Sequence, residues 1–366
     1  MRVKLKDITK FSKGTQINGK NLIDDGAYSY LNGGINPSGK WNEFNVAENT
    51  VTISEGGNSS GYVNYMNEAF WCGAHCYYLY DGPKNSKYLY YALKSQQERL
   101  FRIRSGACMP NIKKSDLGNF VIEYEKDEVR QEEVVKVLEK CELLIEDYNK
   151  KLTLLDEAVR ARFVEMFGDP IENQKDWEVV KIRDIVTDVR YGTSKPAVEG
   201  GRYPYLRMNN LTVDGGLDLS DLKYIDIPDN EIEKCVVRKG DILFNRTNSI
   251  DLIGKTAVFN LLDDMVIAGY IIRIRLNNQI LPDVFSQYMN LEAMKKVLRG
   301  MAKGAVNQAN INAQELQSIK VYIPNMELQK QYVEFKEEID KSRSRIQKSL
   351  EASQELFDSL MQEYFG

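Results

Sequence analysis

The chain has 366 residues, of which 43% are hydrophobic, and a formal net charge of -4 at pH 7. This length exceeds that of one typical domain and favours two or three domains, each large enough to bury its own core. Because there is no apolar run of about 18 residues, composition excludes a bilayer-spanning segment.

Two features of the sequence indicate a cytoplasmic protein. The N-terminal stretch "MRVKLKDITKFSKG" is basic but lacks the apolar core of a signal peptide. The five cysteines are an odd number without a framework spacing, which is typical of a reducing compartment.

The acidic excess is confined to two segments. Residues 125–169 carry 8 Lys and Arg against 13 Asp and Glu, and residues 324–366 carry 6 against 9. Residues 1–124 carry 15 against 11, and residues 170–323 carry 20 of each. Since the two acidic segments also have a helical pattern, we predict globular domains at 1–124 and 170–323, each followed by a long helix.

The first globular segment has polar loops such as "SKGTQING", "LNGGINPSGKW", "EGGNSSG" and "SGACMPNI". Such loops are ordinarily turns. Arg, Lys, Asn and Gln are, however, also the side chains that bond base edges and phosphates. The candidate DNA-binding residues of this segment are Lys13, Thr15, Asn32, Lys40, Asn58, Ser59, Asn111 and Lys113.

The run "FWCGAHCYYL" contains Cys72, Cys76 and His75, the only histidine of the chain. Alternation along a strand would place the two cysteines on one face and His75 on the other, and no fourth ligand lies nearby. A Cys-His nucleophile would also lack an orienting partner. The sequence therefore predicts neither a metal site nor a catalytic cysteine.

The segment from Glu128 to Phe167 contains no Gly or Pro, which allows one helix of about 60 Å at roughly 1.5 Å per residue. Apolar residues recur at alternating spacings of four and three from Val134 onward, and only Arg162 breaks this pattern. Gly168 and Pro170 then end the helix. The apolar seam, a candidate surface for pairing or partner docking, includes Leu138, Ile145, Leu152, Leu155, Val159, Phe163 and Phe167.

The second globular segment alternates strand-like runs such as "DILF", "TAVF" and "YIIRIRL" with the loops "RYGTSK", "LRMNN", "FNRTNSI" and "KGAVNQANI". The Gly-Lys-Thr of "IGKTAVF" is not a phosphate loop, because Ser249 stands where the first glycine is needed and a strand follows. The candidate DNA-binding residues here are Tyr191, Thr193, Lys195, Arg207, Asn209, Asn210, Arg246, Asn248, Lys303, Asn307, Gln308 and Asn310.

The C-terminal segment repeats the heptad pattern of the central helix. Two seams of similar length in one chain should pair, although each helix could instead pack only on its own globular neighbour. The second seam includes Ile346, Leu350, Phe357, Leu360, Tyr364 and Phe365.

The ending "LMQEYFG" matches the central "FVEMFGDP", with Gly366 aligned to Gly168. The match extends upstream, where Asn111 aligns with Asn310, and "YSYL" resembles "YPYL". The chain is therefore predicted to duplicate a unit of globular domain followed by long helix. Antiparallel pairing of the helices would give a pseudo-two-fold object, which suits duplex DNA with two different half-sites.

Three segments resemble a known family: "GDILFNRTNS", then "KGAVNQANINAQELQSIKVYIP" followed by "ELQKQYVEF", and the ending "SLEASQELFDSLMQEYF". Through these three segments the chain resembles the specificity (S) subunit of type I restriction-modification systems. The resemblance covers essentially its whole length. The first repeat departs, since "EYEKDEVRQ" lacks the proline of "IPNMELQK". The first helix is therefore expected to begin with a different bend.

The resemblance implies an α+β fold in which two target-recognition domains are separated by two long, antiparallel, coiled-coil-like helices. The expected function is recognition of an asymmetric bipartite target in double-stranded DNA. The resemblance also implies docking of two methyltransferase (M) subunits, which use S-adenosylmethionine, and of ATP-driven restriction (R) subunits.

The chain itself is expected to be non-catalytic and to bind no cofactor. It has neither a Pro-Pro-aromatic methyltransferase signature nor a glycine motif for S-adenosylmethionine. The alternative is a coiled-coil adaptor that does not bind DNA and whose globular ends bind protein.

Overall fold

The computed structural model of the chain describes residues 1–106, 108–305 and 308–366. It divides into two compact units: unit 1 comprises Met1–Asn149 with Lys348–Gly366, and unit 2 comprises Lys150–Gln347. Both boundaries fall inside long helices, so each long helix contributes one segment to each unit.

Unit 1 consists of short strands and short helices followed by the first part of a long helix. Its elements are β1 (Arg2–Lys4), α1 (Leu5–Ile8), β2 (Lys10–Lys13), β3 (Tyr28–Leu31), β4 (Gly39–Trp41), β5 (Thr50–Ser54), β6 (Val63–Met66), β7 (Phe70–Cys72), β8 (Cys76–Tyr80), α2 (Ser86–Lys94), α3 (Gln97–Arg102), α4 (Lys114–Gly118), β9 (Val121–Glu123) and α5 (Glu128–Phe167), which continues into unit 2.

Unit 2 repeats this plan with more strands. Its elements are β10 (Glu178–Lys181), β11 (Val186–Tyr191), β12 (Tyr203–Leu206), β13 (Lys223–Ile225), α6 (Asp229–Cys235), β14 (Val236–Val237), β15 (Ile242–Asn245), β16 (Thr247–Asn248), β17 (Thr256–Val258), β18 (Met265–Ile267), β19 (Ile271–Leu276), α7 (Pro282–Asn290), α8 (Glu292–Met301), β20 (Lys303–Ala305), β21 (Gln308–Asn310), α9 (Ala313–Ser318), β22 (Lys320–Ile323) and α10 (Met326–Phe365), which ends in unit 1.

The main sheets of the two units have corresponding strand orders, and unit 2 adds β14 at one edge. Unit 1 has the orders β2-β8-β5-β6 and β4-β3-β7, and unit 2 has β11-β19-β15-β17 and β13-β12-β18-β14. The pairs β3–β7 and β12–β18 are both parallel. The ends of the globular parts are joined by antiparallel pairs, β1–β9 and β10–β22. The α+β fold with two domains and two long helices, expected from the sequence, is confirmed.

Aromatic packing joins the helix segments of unit 2 to its core. Phe163 is fully buried, with its ring centroid 5.4 Å from that of Tyr332 and 4.9 Å from that of Phe167. Earlier on α5, Asp156 forms an ion pair with Arg343, which lies later on α10 than Tyr332. Because positions on the two helices change in opposite senses, these segments are antiparallel within unit 2.

Unit 1 uses the other ends of the same helices. Val134 and Leu138, near the start of α5, share a buried cluster with Met361 and Phe365, near the end of α10. The Phe365 ring also lies 5.2 Å from that of Tyr88 in the globular part. In each unit, therefore, the helix segments pack on one another and on the adjacent core.

The predicted seam residues are all at least partly buried. Leu138, Val159, Phe163, Phe167 and Phe365 are buried. The others are of intermediate exposure: Ile145, Leu152, Leu155, Ile346, Leu350, Phe357, Leu360 and Tyr364. These positions fit the prediction that the two seams pair with each other. The five buried residues, however, offer no surface to a partner, so partner docking is the wrong role for them.

The two long helices begin with related but unequal caps. Asp127 Oδ1 accepts a hydrogen bond from the Val129 N–H (3.0 Å), and Asn325 Oδ1 accepts one from the Glu327 N–H (2.8 Å). A buried glutamine follows each cap. Gln131 Nε2 donates to the carbonyl of Glu125, six residues earlier, whereas Gln329 Nε2 donates to the carbonyl of Pro324, five residues earlier. The chain therefore enters the two helices with different bends.

The prediction of one strand through "FWCGAHCYYL" is wrong. β7 and β8 belong to different sheets, and residues 73–75 turn the chain between them. Cys72 and Cys76 are both buried. Within the described ranges, no group of three His, Cys, Asp or Glu side chains is placed to hold a metal ion, and no helix is long and apolar enough to cross a membrane.

The aromatic core of unit 2 predicts a large cost for truncating Phe163. We expect Phe163→Ala to reduce the free energy of unfolding by about 3–5 kcal/mol, because the lost ring leaves a cavity among buried aromatic side chains. The neighbouring Val164→Ala is the matched control. Val164 is 42% exposed, and its truncation should change stability by less than about 0.5 kcal/mol. Equal losses for both variants in urea unfolding would contradict this packing.

Candidate nucleic-acid interface

In unit 2, one residue joins three loops through its main chain. The Arg246 N–H donates to the carbonyl of Tyr270 (2.9 Å), in the turn between β18 and β19. The Arg246 carbonyl accepts from the N–H of Ile311 (2.9 Å), between β21 and α9. Arg246 itself follows β15 directly.

Unit 1 contains the same arrangement. Glu55 follows β5, its N–H donates to the carbonyl of His75 (2.8 Å), and its own carbonyl accepts from the N–H of Ile112 (2.9 Å). Since β5 and β15 occupy the same place in the two sheets, Glu55 and Arg246 are equivalent. We call them the junction residues.

The first strands of the two main sheets, β2 and β11, end in an equivalent way. Lys13 is the last residue of β2 and Tyr191 is the last residue of β11. Two residues later, the N–H of Thr15 donates to the carbonyl at the end of β7, and the N–H of Thr193 donates to the carbonyl at the end of β18 (2.9 Å each). Lys13 and Tyr191 therefore reach the junction from the same side of the scaffold.

A glycine-led hairpin completes the arrangement in both units. Asn111 bridges to Ser105 and to Gly56, next to the junction residue. Asn310 pairs with Lys303 and with Thr247, also next to the junction residue. The alignment of Asn111 with Asn310 that the sequence predicts is thus the one the hydrogen bonds give.

In unit 1, the side chains of Lys13 and His75 contact the carboxylate of Glu55. Lys13 Nζ lies 2.8 Å from Glu55 Oε1, and His75 Nδ1 lies 3.3 Å from Glu55 Oε2. Glu55 is only 13% exposed, whereas His75 is 60% exposed. An open cleft of about 560 Å³ leads to the carboxylate; it is lined by Ser12, Lys13, Glu55, Tyr77, Asn111, Ile112, Lys113 and Lys114.

The remaining candidates of unit 1 divide into two sets. Asn32 and Ser59 lie close to the junction: Asn32 Oδ1 accepts from the His75 N–H (3.4 Å), and Ser59 Oγ donates to the carbonyl of Gly33 (2.6 Å). The side chain of Asn58 is exposed on the same loop. Lys40 lies on β4, in the other sheet, and Thr15 is exposed beyond β2.

In unit 2, an aromatic ring supports the junction side chain. The guanidinium of Arg246 lies 4.9 Å from the ring centroid of Tyr191, and its Nη1 donates to the carbonyl of Gly269 (3.4 Å). The Tyr191 hydroxyl accepts from the N–H of Ala313 (2.8 Å), which fixes the ring. Tyr270, at the junction, is 50% exposed.

Most other candidates beside this junction already have partners. Asn310 Oδ1 accepts from Thr247 Oγ1 (2.9 Å), and Asn248 Nδ2 donates to Asn245 Oδ1 (2.8 Å). Lys303 forms an ion pair with Glu315, and its hydrogen bond lowers the pKa of that carboxyl. Gln308 is exposed on β21, and Asn307 lies outside the described residues.

The candidates near the β12–β13 sheet form a second group in unit 2. Arg207 pairs with Asp221 (2.7 Å), and Lys195 pairs with Glu231 (2.9 Å). Hydrogen bonds from Arg207 and Lys223 lower the pKa of Asp221.

One candidate of this second group is buried, which contradicts its predicted role in DNA binding. Asn210 is only 2% exposed, its Nδ2 donates to the carbonyls of Asp218 and Asp221, and its Oδ1 accepts from the Arg207 N–H. It holds its own loop and offers nothing to a base, while its neighbour Asn209 is exposed.

Glu55, His75 and Tyr270 also lie at the junctions, although they are not among the DNA-binding residues that the sequence predicts. Glu55 opens the loop "EGGNSSG", which was noted only for its amide and hydroxyl groups. The position of His75 between two cysteines suggests a metal ligand or a catalytic group rather than a DNA contact. The signal in the sequence that points to Glu55 is an acidic residue at the start of a polar loop.

Comparison with known proteins gives a consistent result. The family described as "Type I restriction modification DNA specificity domain" matches residues 1–155 and 174–354. A protein of Mycoplasma pneumoniae named as a type I specificity subunit is 30% identical over 216 residues, which cover 55% of this chain and 57% of that protein. The EcoKI specificity subunit of Escherichia coli is 22% identical over 201 residues, covering 54% and 43%. The chain spans about half the length of the curated relatives it matches.

Solved structures resemble the chain over its whole length. The crystal structure of an S subunit of a type I restriction-modification system from M. genitalium has a TM-score of 0.66 at 20% identity, covering 100% of this chain and 96% of that one. A chain from a study of complex assembly in a type I system has a TM-score of 0.51 at 14% identity, covering 99% and 96%. These similarities support the fold.

The hairpin beside the junction of unit 2 predicts a sharp requirement for glycine. Gly304 has φ +113°, and a Cβ there would lie 2.5 Å from the carbonyl oxygen of Gln308. We expect Gly304→Ala to destabilise unit 2 by about 1–3 kcal/mol. Gly300→Ala is the control: it lies in α8, no atom lies within 4 Å of an added Cβ, and alanine favours the helix. A thermal unfolding midpoint unchanged in Gly304→Ala would contradict the hairpin geometry.

Proposed function

This chain belongs to the family of type I restriction-modification DNA specificity domains, and from that membership we propose that it recognises DNA sequence within a type I complex. Each unit would bind one half of a bipartite target. The two halves would differ because the junction side chains differ.

The observation that carries this proposal is the shared scaffold. In both units the same main-chain hydrogen bonds bring three elements to one edge. These are the end of β2 or β11, the junction residue, and the hairpin that contains Asn111 or Asn310. Three candidate side chains of unit 1, those of Lys13, Asn111 and Lys113, line a cleft at this edge whose rim is basic. Lysines on such a rim can hold phosphates, while side chains deeper in the cleft can bond base edges.

We propose that partner subunits dock on the exposed faces of the long helices rather than on the buried seam. In unit 1, α5 exposes Leu143 (63%) and Leu144 (48%) to solvent. In unit 2 the same helix exposes Leu154 (51%). Adjacent exposed apolar side chains, such as those of Leu143 and Leu144, form the kind of apolar patch that a partner can cover. Methyltransferase subunits are the expected partners, with restriction subunits joining the complex through them.

We further propose that catalysis lies on those partners. S-adenosylmethionine would bind the methyltransferase subunits and ATP the restriction subunits. This chain would supply recognition and attachment.

Co-expression with candidate methyltransferase subunits tests the function. We expect the complex to purify as one species and methylome sequencing to show adenine methylation confined to a split, asymmetric motif. Binding should weaken strongly as salt rises, since phosphate contacts release counterions. A methylome that does not change when the chain is deleted would refute the proposal. Failure of the complex to bind duplex DNA at low salt would favour the adaptor alternative.

Exchange of one globular part tests whether target recognition is divided between the two units. We expect replacement of residues 1–124 by the corresponding part of another family member to change one half of the methylated motif. The other half should remain, because unit 2 keeps its own junction. The reciprocal exchange of residues 170–323 is the matched control. A single exchange that altered both halves would contradict independent recognition.

A further inference from the structure

The two junction residues carry opposite charges at one scaffold position. We propose that the junction side chain bonds a base edge in each half-site and that its charge selects the class of base. Arg246 selects guanine. Glu55 selects a base that presents an exocyclic amino group in the major groove, cytosine or adenine. This inference rests on the proposed function.

The chemistry of the base edges separates the two cases. In the major groove guanine offers two acceptors, N7 and O6, whereas cytosine offers its N4 amino group and adenine its N6 amino group. Arginine only donates hydrogen bonds, and a carboxylate only accepts them. Exchange of Arg246 for an acid at the same position would therefore reverse the preferred edge.

Arg246 is placed to donate. Its guanidinium is stacked on Tyr191, which is itself fixed by the N–H of Ala313. Within the described part of the chain it has no carboxylate partner, and the contact of Nη1 with Gly269 is long at 3.4 Å. Its Nε is buried without a hydrogen-bond partner, so the Nη groups are the donors that could reach a base. Arg207, in contrast, is paired with Asp221. The ring of Tyr191 thus orients the guanidinium of Arg246, and no ion pair within the described residues occupies it.

Glu55 is placed to accept. Lys13 holds one carboxylate oxygen at 2.8 Å, and His75 Nδ1 lies 3.3 Å from the other. Each oxygen keeps a further lone pair, and the carboxylate lies on the cleft of about 560 Å³. The neighbouring Lys13 also offsets the negative charge that would otherwise oppose DNA. Side-chain orientation and access therefore suit an amino group approaching through the cleft.

The test uses the complex assembled with its methyltransferase subunits. Methylome sequencing and binding to a randomised duplex library are measured for Arg246→Ala and Glu55→Ala. We expect Arg246→Ala to relax one guanine position by about tenfold or more and Glu55→Ala to relax one cytosine or adenine position in the other half. Glu55→Gln should shift that position towards adenine, since an amide can bond adenine with both of its groups.

Matched controls come from the opposite ends of the same strands. Lys239 precedes β15, as Arg246 follows it, and Glu48 precedes β5, as Glu55 follows it; both are exposed. Lys239→Ala and Glu48→Gln remove the same charges and should leave every motif position unchanged. Thermal unfolding of Arg246→Ala, Glu55→Ala and Glu55→Gln checks that the scaffold is intact.

The outcomes are distinguishable. A wild-type complex without a split motif would refute the proposed function itself. A split motif that stays unchanged in the folded Arg246 and Glu55 variants would refute only this inference. A motif whose half assigned to unit 2 contains no guanine would refute it as well.

Discussion

Both units depend on a pair of main-chain hydrogen bonds that converge on one residue. At Glu55 and at Arg246 the N–H and the carbonyl each bond to a different loop, so three loops meet at a point. Main-chain bonds do not depend on the identity of the side chain. A carboxylate and a guanidinium can therefore occupy the same position without any change of scaffold, which is the property a recognition module needs.

The junctions are supported by cores that include the long helices. In unit 2 the turn after α5 is tied to the globular part twice: Tyr322 donates to the carbonyl of Gly168 (2.9 Å) and Tyr288 to that of Pro170 (2.7 Å). Burial raises the pKa of both phenols, so they remain neutral donors throughout the physiological range. The end of α5 is consequently held to α7 and to β22 of unit 2.

Sequence predicted the features that local chemistry determines. The bounds of α5 follow from a heptad run without Gly or Pro, and the Asn111–Asn310 match follows from similar hairpins. The equivalence of Glu55 and Arg246 could not be predicted, because insertions of different length separate the matched residues along the two units. Asn210 shows the same limit, since burial of an amide within its own loop depends on where the chain returns at Asp218.

Charge distribution explains how an acidic chain can carry such a module. The excess of Asp and Glu lies in the segments that form the long helices, whereas residues 1–124 are net basic. Within unit 1, the acid at the junction has Lys13 beside it, so its long-range field is small while its lone pairs stay available. Arg246 in unit 2 needs no such neighbour, because its own charge attracts a phosphate-lined duplex. In the proposed module, charge at the junction would select the base edge, and charge around it would adjust attraction to the backbone.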